Sequence, residues 1–289
     1  MPMRCIPEGC TRMKLKRVIF NNVTDLDLTH TFECGQCFRW VPAGGGAYAG
    51  AAGGNAARIS LEDGTLTIEA TGGDEEFWSS YFDLDTDYGE IKRTLAAGEP
   101  RIADACSYGS GIRILRQDPF ETIISFIISQ NNNIPRIRKN IESLCRTYGS
   151  PIECSEAVST DGGVIFSFPS PEALAAAEVA DLADLRLGYR SEYIKASAER
   201  YLKEGCPECR EGLLGFHGIG PKVANCIMLF GLRDTAAFPV DTWVKQIMSD
   251  MYGFELNDVR GMQAFASERF GPLAGYAQQY LFYYYRDRK

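Results

Sequence analysis

The sequence predicts an α+β fold with segregated elements: an N-terminal antiparallel β-sheet domain, then an all-helical domain containing a helix-hairpin-helix motif. Three observations carry this. Short segments rich in β-formers crowd residues 15–68, and capped helical patterns dominate from about residue 75. No internal repeat with a period of about 20–50 residues breaks that order.

In chain order, residues 1–12 are expected to be loosely ordered, 13–105 to form the β domain, and 106–289 the helical domain, two lobes with a site between them. Val18-Ile19-Phe20, Cys37 to Val41, Ala57 to Leu61 and Leu66-Thr67-Ile68 read as strands. Gly44-Gly45-Gly46 and Glu62-Asp63-Gly64 supply turns, and the Ala/Gly-rich stretch 43–57 reads as a loose hairpin loop. Asp118-Pro119 is a cap with a first-turn proline ahead of an apolar helix from Phe120 to Gln130. Ser170-Pro171-Glu172 opens another helix. Helices follow over Arg190 to Leu202, Lys222 to Leu232, Asp241 to Tyr252 and Gly275 to Tyr285.

With 289 residues, 45% of them hydrophobic, the chain can bury a substantial core. No apolar run approaches the roughly 18 residues of a membrane span, and the first 20 residues lack a secretory apolar core. The expectation is an intracellular protein whose ten cysteines are reduced. Cys34/Cys37 and Cys206/Cys209 have Cys-x-x-Cys spacing, but the pairs lie far apart for one zinc site. No cysteine follows Cys226, which excludes a four-cysteine iron–sulfur cluster beyond that point. Only His30 and His217 are histidines, so histidine-rich metal sites and Ser-His-Asp hydrolysis are poor fits. A net charge of −8 argues against bulk nucleic-acid affinity, although phosphate is bound locally. Cations cluster at Lys14, Lys16 and Arg17, at Arg113 and Arg116, and at Arg136, Arg138 and Lys139.

The text Leu213-Leu214-Gly215-Phe216-His217-Gly218-Ile219-Gly220-Pro221-Lys222 reads as helix end, glycine turn, helix start. Gly218 and Gly220 permit restricted backbone angles, and Pro221 suits the first helical position. The free N–H groups there, backed by the helix dipole, make a seat for a phosphate diester. The same turn also serves simply to join two core helices. Lys222 sharpens the reading, because the dipole and nearby cations favour its free amine as a nucleophile. Asp241 is a helix N-cap, and a capping carboxylate is fixed and ionised, so it can support a developing cation.

Gly215 through Asp241 resembles the helix-hairpin-helix, Gly/Pro-Asp motif of base-excision DNA glycosylases, and the whole chain resembles the 8-oxoguanine DNA glycosylase/AP lyases. The likeness covers roughly residues 15–286. It includes Gly35-Gln36-Cys37-Phe38-Arg39-Trp40, Leu115 to Pro119, Ser129 to Ile134, Leu187-Gly188-Tyr189-Arg190, Gly271-Pro272 and Ala277-Gln278, all in family order. The resemblance implies that Lys222 attacks the sugar C1′ and forms a Schiff base, and that Asp241 stabilises the cationic sugar. Gly35 would accept, through its carbonyl, the N7–H that 8-oxoguanine has and guanine lacks. Gln278 would read the Watson–Crick edge, and Phe282 and Cys226 would sandwich the extruded base. A base must leave the stack to be cut, so Asn131 would fill its place. Tyr189 would wedge the opposite strand, and Arg136 and Arg190 would hydrogen-bond the orphaned cytosine. Gly218, Gly220 and Trp243 would meet the DNA backbone.

Three positions depart from the pattern: His217 stands where the hairpin commonly carries proline, Trp243 where many relatives have histidine, and Cys37 where some have serine. The resemblance implies a bifunctional enzyme that flips 8-oxoguanine opposite cytosine out of double-stranded DNA, excises it and cuts the strand by β-elimination. It implies no metal or redox cofactor, with a structural cation at the hairpin turn as the one exception, and a monomer. No nuclear-localisation cluster or transit peptide stands out in the sequence, so a prokaryotic cytoplasm is the expectation, or a nucleus for a eukaryotic source. Read from the residues alone, three other functions stay open: a related glycosylase for another base, a catalytically idle DNA-binding module, and a dithiol redox protein.

Overall fold

The computed structural model describes residues 15–153, 158 and 164–288. The stretch 1–12, expected to be loosely ordered, lies outside the described residues, as does Lys14. The chain begins with β1 (Lys16–Phe20), α1 (Leu28–Glu33), β2 (Val41–Pro42), β3 (Tyr48–Ala52), β4 (Asn55–Glu62) and β5 (Thr65–Ala70). These strands form one five-stranded sheet in the order β1-β5-β4-β3-β2, and every pairing in it is antiparallel. The segregated α+β class expected from the sequence therefore holds.

Two local expectations fail. Cys37 to Val41 is not a strand; β2 starts only at Val41, and α1 lies before it. The apolar run there reflects burial rather than pairing: Cys37, Phe38 and Trp40 are all buried in irregular backbone. The stretch 43–57 is not a loose loop either, because it holds β3 and the start of β4. At Gly50 close approach excludes a side chain. A Cβ at Gly50 would lie 2.3 Å from the Arg39 carbonyl oxygen and 2.8 Å from the Trp40 ring.

Helices follow: α2 (Glu75–Tyr81), α3 (Tyr88–Gly98), α4 (Ala103–Tyr108), α5 (Pro119–Ser129) and α6 (Ile134–Tyr148). After the two-residue strands β6 (Pro151–Ile152) and β7 (Ile165–Phe166) come α7 (Pro171–Ala175), α8 (Val179–Leu182), α9 (Arg190–Glu204) and α10 (Arg210–Leu214). The chain closes with α11 (Pro221–Gly231), α12 (Thr242–Tyr252), α13 (Val259–Phe270) and α14 (Ala274–Arg286). The expected caps are present: Asp118, Ser170 and Asp241 accept from the amides of Glu121, Ala173 and Val244. Asn133 caps α6 in the same way, with Pro135 in its first turn.

Two apolar cores result. One joins the sheet to α1 and α2 through Phe32, Trp40, Ile59, Ile68, Trp78 and Phe82. The other unites the later helices, and Tyr88, Ile91, Leu95 and Ile102 of the α3–α4 region belong to it. Phe32 stacks on Trp40 with ring centres 4.8 Å apart. This packing fixes α1, whose last turn delivers the Cys34-Gly35-Gln36 loop to the helical core.

Candidate active site

α11 is the platform. Gly220 is its N-cap with extended backbone, φ −91°, and no side chain caps the turn, so the first amides are left for a ligand. Gly218 has φ +81°, as the hairpin reading requires, but Gly220 does not use a left-handed conformation. Nothing lies within 4 Å of a Cβ built at Gly220. Tyr193 of α9 packs on Gly218, lies tilted against His217 with ring centres 4.7 Å apart and meets Tyr189 edge-on at 5.5 Å.

Lys222 lies in the first turn of α11 and Cys226 one turn later. Across from them stand Gly35, Phe126 of α5, Phe230, Pro239, Asp241, and Gln278, Gln279 and Phe282 of α14. All of these line one cavity of about 50 Å³. The Lys222 ammonium lies 5.9 Å from the centre of the Phe126 ring. Burial pushes the Cys226 thiol above its usual range, against the opposing pull of the Lys222 ammonium. Asp241 spends Oδ1 on the Val244 amide at 2.8 Å, which aims its carboxylate at the start of α12.

Gly35 is held at φ +83°. Its neighbour Gln36 is buried and saturated. Gln36 Nε2 donates to the carbonyls of Thr31 and Arg113 at 2.9 and 2.7 Å, and Oε1 accepts from the Leu115 amide at 2.8 Å. Gln117 Nε2 donates to the Gln36 carbonyl at 2.8 Å. From the other side Arg286 donates to the Glu33 carbonyl at 2.6 Å and covers the Phe282 ring at 5.6 Å. Gln36, Arg286, Phe126 and Gln279 were not singled out from the sequence. For Gln36, Arg286 and Phe126 the signal is long-range, through Arg113 and Leu115, Glu33 and Lys222; Gln279 meets its sequence neighbour Gln278 and joins the site only through the packing of α14.

A second group forms beside the cavity. Asn131 takes a left-handed backbone, φ +47°, and its Nδ2 reaches the Tyr189 hydroxyl at 3.5 Å. Arg190 is buried; it donates to the carbonyls of Gln130, Asn131 and Leu187 and covers the Tyr189 ring at 4.6 Å. Arg136 is exposed in the first turn of α6, and Trp243 is exposed just after Asp241.

The cysteine pairs behave differently from one another. Cys34 Sγ donates to the Thr31 carbonyl at 3.2 Å, and burial pushes its thiol up to about 12 and that of Cys37 well above its usual range. Such thiols are poor nucleophiles, which disfavours the dithiol redox reading. Cys206 and Cys209 are exposed. Among the described residues no group of three or more His, Cys, Asp or Glu side chains is placed to hold a metal ion, and no helix is long and apolar enough to cross a membrane.

Family comparison agrees with this geometry. Residues 18–123 match the family model for the 8-oxoguanine DNA glycosylase N-terminal domain, and residues 124–272 match that for HhH-GPD superfamily base excision DNA repair proteins. The chain belongs to the HhH-GPD superfamily. A solved structure of Clostridium acetobutylicum 8-oxoguanine glycosylase/lyase, in complex with double-stranded DNA containing cytosine opposite 8-oxoguanine, is similar to this HhH-GPD protein. It is 38% identical with a TM-score of 0.87, covering 95% of this chain and 98% of that one. The N-glycosylase/DNA lyase OGG1 of Arabidopsis thaliana is 30% identical over 90% of this chain and 77% of its own length. A probable N-glycosylase/DNA lyase of Methanothermobacter thermautotrophicus is 35% identical over 60% of this chain, and the match spans 62% of that protein.

Proposed function

We propose that this HhH-GPD protein is a bifunctional 8-oxoguanine DNA glycosylase/AP lyase acting on the lesion opposite cytosine in double-stranded DNA. One observation carries the reading: Lys222, Asp241, Gly35, Gln278, Cys226 and Phe282, scattered over the sequence, line a single cavity. The flipped base enters between Phe282 and Cys226, and the cavity widens to admit it. The Gly35 carbonyl accepts the N7–H of the lesion, while guanine offers only an acceptor there. The free amine of Lys222 attacks C1′. The glycosidic bond breaks, its electron pair leaves with the base, and the base picks up a proton. Asp241 offsets the positive charge that grows on the sugar. Loss of a proton from nitrogen and opening of the ring give the imine. Removal of a C2′ proton then expels the 3′ phosphate by β-elimination, and water releases Lys222.

Asn131 fills the space the base leaves, Tyr189 wedges beside the opposite strand, and Arg136 and Arg190 hydrogen-bond the orphaned cytosine. The N-terminal amides of α11, Gly218, Gly220 and Trp243 hold the DNA backbone. These steps need only acid–base groups, so the reading takes no metal or redox cofactor. A structural cation at the hairpin turn is compatible with the reading, and no step runs through it. The enzyme acts as a monomer. Its place is beside the genome, in a prokaryotic cytoplasm or, for a eukaryotic source, the nucleus.

Borohydride trapping on a duplex with one 8-oxoguanine opposite cytosine tests the reading, with guanine as control. The expected adduct forms on the lesion duplex alone, maps to Lys222, and vanishes in Lys222→Gln while lesion binding remains. Strand cleavage retained in Lys222→Gln would remove the lysine from its role. Base release without any adduct would mean attack by water.

A further inference from the structure

We propose that Gln279 is a second reader of the flipped base, accepting a hydrogen bond from the 2-amino group of the purine. The inference rests on the excision reading above and concerns the residue beside its expected Watson–Crick reader. Gln278 and Gln279 are both buried, 4% and 3% exposed, and both line the cavity. Gln279 Nε2 donates to Gln278 Oε1 at 2.9 Å. Gln279 Oε1 is buried and has no hydrogen-bond partner. Gln36 one wall away shows the contrast, since its amide oxygen is used. A buried amide oxygen left without a donor is costly, and such a group is commonly kept for a ligand.

The donor and acceptor pattern matches a guanine-type edge. That edge offers an acceptor at O6, a donor at N1–H and a second donor at the 2-amino group. With Gln279 Nε2 as donor, Gln278 turns its Oε1 toward Gln279. Gln278 then has both Nε2 protons and one lone pair of Oε1 left. These suit O6 and N1–H. The 2-amino group remains, and the free acceptor at Gln279 Oε1 completes the set. A base lacking the 2-amino group would leave that oxygen as unpaired as it is now.

The test compares duplexes carrying 8-oxoguanine or 8-oxohypoxanthine, which lacks only the 2-amino group, each opposite cytosine. Single-turnover excision is measured for the wild-type chain and Gln279→Leu, so that slow product release does not mask the chemistry. The wild type should prefer 8-oxoguanine. Gln279→Leu should lose about tenfold of that preference, the size of one hydrogen bond, by slowing on 8-oxoguanine more than on its analogue. The ratio of the two rates in one preparation cancels its active fraction. Gln279→Met, unbranched and apolar, repeats the measurement in case leucine disturbs α14. A preference unchanged in both variants, with both bases slowed equally, overturns the inference and leaves a packing role. A wild-type chain that excises neither base overturns the excision reading and this inference with it.

Discussion

Gly35 and Phe282 face one another across the base cavity: a Cβ built on Gly35 would lie 3.5 Å from Cε1 of Phe282. That is an ordinary contact distance, so an alanine would fit the space. The backbone is the obstacle, because Gly35 sits at φ +83°. A side chain there costs roughly 1–2 kcal/mol. Gly35→Ala should therefore lower the melting temperature modestly and turn the peptide that carries the Gly35 carbonyl, the proposed reader of the lesion. Excision of 8-oxoguanine relative to guanine should fall. Undiminished discrimination in a folded variant would show that the carbonyl is not the reader.

The hairpin glycines should separate stability from DNA binding. A Cβ at Gly218 would lie 2.2 Å from Cδ2 of Tyr193, and φ there is +81°. Gly218→Ala must push the ring off both His217 and Tyr189, an overpacking cost of about 1–3 kcal/mol on top of the backbone strain. At Gly220 neither penalty applies, and replacing this N-cap should cost less than about 1 kcal/mol. Its methyl would instead stand before the open amides of α11. Gly220→Ala should melt close to wild type yet bind duplex DNA more weakly, whereas Gly218→Ala should lose both. Thermal melts and fluorescence anisotropy check the pair. Full DNA affinity in Gly220→Ala would mean that phosphate does not sit on this helix end.

Much of this was legible in the sequence where the cause is local. Asp118, Ser170 and Asp241 announced their helices because a cap is a short-range hydrogen bond. The Gly218 turn and Lys222 were legible for the same reason. Cys37 to Val41 misled because alternation and plain burial look alike over five residues. The 43–57 stretch misled because Gly50 answers to the Arg39 carbonyl and the Trp40 ring, a packing contact that propensity does not see. Phe126 under Lys222, and Gln279 beside Gln278, could be placed at the site only once α5, α11 and α14 were packed together.

Gln36 is the residue that ties the reading loop to the body of the protein. It is 1% exposed, and its amide serves Thr31, Arg113 and Leu115 together. Gln36→Leu keeps the volume but strands the Arg113 carbonyl and the Leu115 amide, at roughly 1–3 kcal/mol each. The melting temperature should drop by about 5–10 °C on the scale of a domain this size. Excision should slow more than DNA binding weakens, because Gly35 loses its support while the hairpin does not. An unchanged melting temperature would show that the network contributes little.

Buried thiols give the protein an alkaline limit. Burial pushes Cys34, Cys106 and Cys145 from an ordinary value of 9.0 up to about 12. Between those values the folded chain keeps protons that the unfolded chain has released. Fewer protons on the unfolded state means that stability falls as pH rises. The contribution is whole below pH 9 and is lost progressively toward pH 12. Urea midpoints measured from pH 8 to pH 11 should fall, and the slope should shrink in Cys34→Ala. The same burial predicts selective labelling at pH 8: a maleimide should modify exposed Cys206 and Cys209 in the native chain and reach Cys34, Cys37 and Cys226 only on unfolding. Rapid native modification of Cys34 or Cys37 would restore the reactive-dithiol reading.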